Sequence, residues 1–301
     1  MFLKDLLQEY IFECEIKKFT WKTIKSYRNS NLYLINYLEQ EFNITNAKEV
    51  MPTHIKQFMM FQIKKGCKES YLNGLLRAFR AFYKYLLQEG YITENPTLKI
   101  NWAKESKTII KTFTNEEVKK MMNTYSEIDY MSVRNKAILA MLFDTGIRNY
   151  ELCILPCEAI KDNLIQIWGK GNKERQVGKS PYLCKMLMKY LRYREVYFSY
   201  KNINYNNLFL SRTGKPLTTE AIERIVLIAG KQANVSNSIR CSPHTCRHWF
   251  AQSQLKNGID VYSLSRILGH SNIKITQRYL EGLQDDEVVI KSIKTSPLMN
   301  L

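Results

Sequence analysis

Apolar residues return every three or four positions through most of this chain, and in one place they alternate instead. That contrast restricts the fold to helices packed around a single small sheet. Leu3, Leu6, Leu7, Tyr10, Ile11 and Cys14 share a helix face, and Ile24, Leu32, Ile35 and Leu38 repeat the spacing. Leu72, Leu75, Leu76, Phe79, Phe82, Tyr83 and Leu86 form the clearest stripe. Gly90 is placed to end that helix, and Asn95-Pro96 marks a turn. Thr114-Asn-Glu-Glu117 is a capping box opening the next helix. Further helices are expected at about 132–144, 181–198 and 218–231. Ser242-Pro243 caps a helix from 243 to about 256, closed by Gly258. Asp260 caps another that stops at Gly269, and a last short one should hold Thr276 to Leu280. The alternating stretch is Leu164-Ile-Gln-Ile-Trp168, followed by a Gly-rich turn and a return strand through Val177. The expected fold is mainly α with a small antiparallel β-sheet. It divides into a helical domain over 1–97, a basic linker over 98–112, a second domain over 113–282 and an apolar tail over 283–301.

Charge says what such a fold is for. The 301 residues carry 45 Lys and Arg against 28 Asp and Glu, a net +17, an excess that fits a polyanionic partner such as nucleic acid. The excess is uneven. Residues 1–50 carry seven cations and seven acids, whereas 51–100 carry eight against three. Arg77, Arg80 and Lys84 fall within ~60° of one another at ~100° per residue, beside the apolar face of their helix. Together with Lys22 and Lys25 they are the candidates for contact with DNA phosphates, although three cations on a helix also suit an ordinary solvated face. A hydrophobic share of 45% excludes a disordered chain. Seven scattered cysteines without a CxxC pair suit free thiols in a reducing cytosol better than a disulfide framework. No apolar run approaches the ~20 residues of a membrane span, and the first ten residues mix charge with apolar side chains, unlike a signal peptide.

The residues with chemistry lie in the second domain, in four segments. These are Thr145-Gly-Ile-Arg-Asn-Tyr-Glu-Leu152, Gly169-Lys-Gly-Asn-Lys-Glu-Arg175, Pro243-His-Thr-Cys-Arg-His-Trp-Phe-Ala251, and Leu268-Gly-His-Ser271 leading to Tyr279. Singly each has a plain structural reading. Arg148 can pair with Glu151, Lys170 sits in a hairpin turn, His244 and Arg247 share a helix face at i and i+3, and His270 can cap a helix end. Together they make a kit for phosphodiester chemistry. Two arginines can clamp non-bridging oxygens and stabilise the charge of a five-coordinate phosphorus. A lysine on a turn can protonate a leaving alkoxide. Histidines can bond the phosphate or accept a phenolic proton. A tyrosine hydroxyl, with an ordinary pKa of about 10, needs such neighbours to attack. The resulting phosphotyrosine ester conserves bond energy, so no ATP is called for, and the positive side chains take the place of a metal ion, so no cofactor is expected.

This set resembles the tyrosine recombinase (phage integrase) family, whose catalytic order is Arg, Lys, His-x-x-Arg, Gly-His, Tyr. The nine-residue step from His270 to Tyr279 and the Leu-Gly-His phrase carry the likeness further, over residues 114–282. The resemblance implies that Arg148 and Arg247 bind the scissile phosphate and that Lys170 acts as general acid on the 5′ oxygen, with Lys173 as a nearby rival. It assigns His244 to proton transfer, His270 to the second histidine position, Tyr279 to the nucleophile that forms a 3′-phosphotyrosine, and Glu151 to a supporting acid. Asn149-Tyr150, Cys246 and Val177-Gly178 depart from the family's usual wording without touching these groups. Implied too are a compact Xer-like member closing as a two-domain clamp on double-stranded DNA, a monomer when free and a homotetramer on two paired sites. Accessory recombination factors are candidate partners, and the 283–301 tail is a candidate for docking on a neighbouring protomer or on its own domain. The expected reaction is site-specific cleavage and rejoining through a Holliday junction, for integration, excision or resolution, in a cytoplasmic, nucleoid-associated setting. A type IB topoisomerase and a recombinase-derived DNA-binding protein without catalysis remain alternatives at this point.

Overall fold

The computed structural model describes residues 1–105, 110–169, 174–280 and Ile293. The chain forms two compact units, Met1–Lys107 and Thr108–Leu301.

The first unit is helical. It contains α1 (Leu3–Ile16), α2 (Trp21–Phe42), α3 (Pro52–Lys64) and α4 (Glu69–Gln88). Thr20 opens α2 by accepting a hydrogen bond from the Thr23 amide, and Asn43 closes it in the left-handed conformation. The stripe read on α4 is buried in full, and Gly90, at φ +75°, follows its end as expected. Two details of the sequence reading change. On α2 the inward face is Ile24, Asn31, Leu34, Ile35 and Leu38, while Leu32 points outward. A buried asparagine holds this place because its Nδ2 donates to the Tyr27 carbonyl at 2.9 Å. Helix α3 was not anticipated. Its inward residues, Ile55, Phe58 and Gln62, are diluted by Met59, Met60 and Phe61, which spread apolar character round the helix and blur its period.

The stretch expected to be linker begins within this unit. Ile100 is buried in its core. The Asn73 side chain exchanges hydrogen bonds with both backbone groups of Ala103 at 3.0 and 2.9 Å. Arg80 donates to the Ile100 carbonyl at 2.7 Å, and its guanidinium lies 4.3 Å from the centre of the Trp102 ring. Basic residues with little periodicity read as linker, but these contacts are made by backbone groups and by side chains that periodicity does not score.

The second unit is built round α6 (Tyr130–Thr145), in which every residue from Ala137 to Phe143 is buried. Before it comes α5 (Asn115–Met122), opened by the capping box of Thr114 and Glu117. After it come α7 (Asn149–Ile154), the antiparallel strands β1 (Leu164–Trp168) and β2 (Glu174–Gly178), α8 (Pro181–Phe198) and α9 (Thr219–Gln232). The chain continues with α10 (Pro243–Lys256), α11 (Val261–Leu268) and α12 (Lys274–Gln277). The strands pair from Leu164 opposite Gly178 to Trp168 opposite Glu174, with Ile165, Ile167 and Val177 turned into the core. Helices α8 and α10 both pack on α6. Ser242 caps α10 through the Thr245 amide, and Asp260 caps α11 through Ser263. Helix α12 is shorter than expected and ends before Tyr279, whose amide donates to the Thr276 carbonyl at 3.0 Å. The architecture is mainly α with one small antiparallel sheet. All seven cysteines are free, and among the described residues no helix is long and apolar enough to cross a membrane.

The core of the first unit should be intolerant of lost volume. Phe79 is fully buried, its ring 5.7 Å from that of Phe58. Phe79→Ala is expected to cost about 3–5 kcal/mol in denaturant unfolding of that unit, through lost transfer energy and a residual cavity.

Candidate active site

The site is assembled at the end of α11. Gly269 closes this helix in the left-handed conformation at φ +64°, leaving the last carbonyls without partners inside the helix. Three arginines take them, one each. Arg175 donates through Nε to Ile267 at 2.9 Å, Arg247 through Nη2 to Leu268 at 2.6 Å, and Arg148 through Nη2 to Gly269 at 2.8 Å. The negative end of the helix dipole favours all three. Gly269 is also a spatial requirement, because a Cβ there would stand 2.9 Å from Cδ of Arg175.

Each arginine comes from a different element. Arg148 precedes α7, just after the buried α6 has ended at Gly146. Arg175 lies on β2 and Arg247 on α10. The Gly146 carbonyl accepts Arg247 Nη1 at 2.6 Å, which locks that guanidinium between two helix ends. Glu151, 5% exposed, joins the other two. Its carboxylate receives both Nη atoms of Arg175, at 2.8 and 2.6 Å, and both the side chain and the amide of Arg148, at 2.8 and 3.0 Å. Burial alone would raise the Glu151 carboxyl, but the bonds and charge of Arg175 and Arg148 outweigh it and hold the group below the usual carboxylate range. Arg247 is pulled down to about 10 by burial and by the two neighbouring guanidiniums, and so stays charged at neutral pH.

The histidines stand next to these cations. His270 follows Gly269, and its Nε2 lies 3.0 Å from Arg247 Nη2, a group that can only donate. Nε2 therefore accepts, and Nδ1 carries the proton toward Thr276 Oγ1 at 2.8 Å. On α10, His244 and His248 are one turn apart and meet edge to face at 4.2 Å. His248 Nδ1 lies 2.9 Å from the hydroxyl of Tyr279. Burial first, then neighbouring positive and imidazole groups, lower all three histidines, with His248 and His270 brought to about 4. These rings are neutral near pH 7, so the positive charge of the site belongs to its arginines. Tyr279 is 3% exposed and packs with Phe250, Leu255, Leu264 and Leu268. Burial raises its phenol, and Arg247, Arg278 and Arg148 partly offset this.

Five of the six catalytic candidates, Arg148, His244, Arg247, His270 and Tyr279, line one cleft of about 600 Å³, together with His248, Arg240, Arg278 and Glu223. Lys170 and its rival Lys173 lie outside the described residues. Of the five residues expected to meet DNA phosphates, Lys22, Lys25, Arg77 and Lys84 are exposed in the first unit. Arg80 is half-buried, with Nη2 bonded to the carbonyl of residue 100 and its guanidinium face against the ring of Trp102. Two residues at the heart of the site were not selected from the sequence. The signal for His248 was its place four residues after His244 on one helix face. Arg175 sits in the hairpin's return strand, where a cation reads as surface. Among the described residues, no group of three or more His, Cys, Asp or Glu side chains could hold a metal ion.

Residues 111–285 match the phage integrase family. The chain is 32% identical to the tyrosine recombinase XerC of Thermodesulfovibrio yellowstonii over 263 residues, covering 85% of this chain and 84% of that one. It is 28% identical to the tyrosine recombinase XerD of Listeria innocua over 282 residues, covering 92% and 94%. Among solved structures, the XerH site-specific recombinase bound to palindromic difH substrate superposes with a TM-score of 0.74 at 20% identity, over 91% of this chain and 80% of that one. The Tn1549 transposon integrase in complex with a circular intermediate DNA gives 0.74 at 17%, over 98% and 100%.

The lowered histidines make stability depend on pH in a known direction. The unfolded chain takes up these protons near pH 6.5, whereas folded His248 and His270 do so only near pH 4. Their contribution is complete above about pH 6.5 and is lost as pH falls toward about pH 4. The urea midpoint of the second unit should fall across that window, and His270→Gln should make the fall shallower. Parallel slopes for the two proteins would contradict this.

Proposed function

The chain belongs to the phage integrase family of tyrosine recombinases and is a site-specific DNA recombinase; from that premise we propose how its residues divide the work on double-stranded DNA. The observation that carries the division is the cleft itself, where the guanidiniums of Arg148 and Arg247, three neutral imidazoles and a phenol line one space. Arg148 and Arg247 receive the non-bridging oxygens of the scissile phosphate and stabilise the extra charge of the five-coordinate state. His270, bonded to Arg247, orients that guanidinium and completes the anion-binding wall. His244 faces the same phosphate as a neutral ring able to donate or accept a proton. Tyr279 attacks the phosphorus and becomes esterified to the 3′ end, releasing a 5′ hydroxyl. Lys170 supplies the proton that this leaving oxygen needs, a role supported by its place in the family's motif.

Binding before cleavage rests on charge. Lys22, Lys25, Arg77 and Lys84 are exposed cations suited to phosphates, so affinity should fall steeply with salt. Arg80 acts through the segment it anchors. The assembly proposed from the family is a monomer when free and a homotetramer on two paired sites, passing through a Holliday junction. In that assembly residues 283–301 dock on a neighbouring protomer and accessory factors set direction, inside the cytoplasm at the nucleoid. The topoisomerase alternative is not favoured, since the curated relatives named above are recombinases.

Two substitutions test the assignment. Tyr279→Phe should bind a nicked duplex as the parent does and form no denaturant-resistant protein–DNA adduct; an adduct from this variant would reject the nucleophile. Lys170→Ala should slow cleavage by about 10²–10⁴-fold, the usual range for a lost general acid. Its rate should return when the leaving oxygen is replaced by a 5′-phosphorothiolate sulfur, which needs no proton. Failure of that rescue would move the role to Lys173 or another donor.

A further inference from the structure

We propose that His248 is a further catalytic residue, the group that takes the proton from Tyr279 as it attacks. This rests on the reading of Tyr279 as nucleophile. The observation is geometric: Nδ1 of His248 lies 2.9 Å from the phenolic oxygen, and both residues line the cleft that also holds Arg148 and Arg247. In this proposal His248 is assigned the tautomer that carries its hydrogen on Nε2, so that the unprotonated Nδ1 accepts from the phenol. The ring is held for this by its place on α10 and by edge-to-face contact with His244. That helix also carries Arg247, so the proton acceptor and the phosphate clamp share one rigid element. His248 is kept neutral by burial and by the cations and imidazoles around it, namely His244, Arg247, Arg278 and His270. A charged ring in that position could not accept.

The step balances without a co-reactant. The Tyr279 oxygen forms a bond to phosphorus while its O–H bond breaks and the proton passes to His248 Nδ1. The bond from phosphorus to the 5′ oxygen breaks, and that oxygen leaves with a proton from the general acid. In rejoining, a 5′ hydroxyl attacks the phosphotyrosine, the acid recovers its proton, and His248 returns its own to the departing phenolate. One strand cleavage and one rejoining restore both groups. His244 makes no such contact with Tyr279 and remains free to serve the phosphate.

The experiment measures single-turnover formation of the covalent adduct by the full chain. The probe is a nicked duplex carrying a binding site that the chain itself selects from a randomised pool. His248→Gln and His248→Asn are compared with the parent and with His244→Gln. Each is made with natural tyrosine at 279 and with a fluorinated tyrosine whose phenol ionises near neutrality. With natural tyrosine, both His248 variants should lose about 10²–10⁴-fold in rate, the usual share of one proton-transfer group, while duplex binding stays within about two-fold of the parent. The fluorinated residue should restore most of that loss in the His248 variants and none of it in His244→Gln. A purely structural role for His248 would leave its variants equally slow with either residue, and that result overturns the inference. So would unchanged or faster cleavage, which would show that the hydrogen bond is dispensable or only restrains the phenol. Should both His248 variants fail to fold, the parent decides: a solvent deuterium effect on adduct formation that vanishes with the fluorinated residue supports the inference, and absence of any such effect overturns it. Failure of the underlying reading looks different, because then the parent itself forms no adduct at residue 279.

Discussion

The site depends on the way one helix ends. Three guanidiniums crowded round a turn would repel one another in any ordinary setting. Here each binds a different backbone carbonyl at the end of α11, and two of them also share the buried carboxylate of Glu151. The carbonyls offer partial negative charge at fixed positions, and the carboxylate offers a full one. The low exposure of Glu151, Arg175 and Arg247 makes their attractions stronger than they would be in water, and it makes the loss of one of these partners costly. The outcome is a positive surface whose geometry is set before any phosphate arrives, which is the condition under which electrostatic stabilisation contributes most to a reaction.

That arrangement also governs the other groups. His270 follows the glycine that ends the helix, so it inherits the position of the turn and accepts from Arg247. Burial first, and then the neighbouring guanidiniums and imidazoles, keep the rings of His248 and His270 neutral. In this cleft, charge stabilisation and proton movement are therefore assigned to different residue types. Arginines cannot give up their protons near pH 7 and hold charge. Neutral histidines can accept protons, and one stands beside a tyrosine whose phenol is raised by burial.

Much of this was legible from one line of letters. Helix starts at Thr114, Ser242 and Asp260 and the stop at Gly269 follow from local hydrogen bonding and from the left-handed backbone that glycine tolerates. The hairpin at 164–177 follows from its alternation, and the buried stripe of α4 from its period. Helix α3 and the true inward face of α2 were harder to see. In the first, apolar residues surround the helix; in the second, an asparagine replaces an aliphatic residue, its amide nitrogen donating to a carbonyl one turn away. Arg80 and residues 98–105 look like exposed charge and linker in sequence. Their hydrogen-bond partners lie 20 or 30 residues distant, beyond the reach of any local pattern.

The sequence by itself determined which elements form, where they begin and end, and which residue types are available for phosphodiester chemistry. These are local matters, decided within one or two turns of chain. Only the tertiary structure decided that Arg175 belongs to the guanidinium cluster and that His248, one turn from the histidine the motif names, is the one that touches Tyr279. The physical reason is that donors and acceptors pair by distance in space, and partners 24 and 31 residues apart in the chain meet only after the elements that carry them have packed.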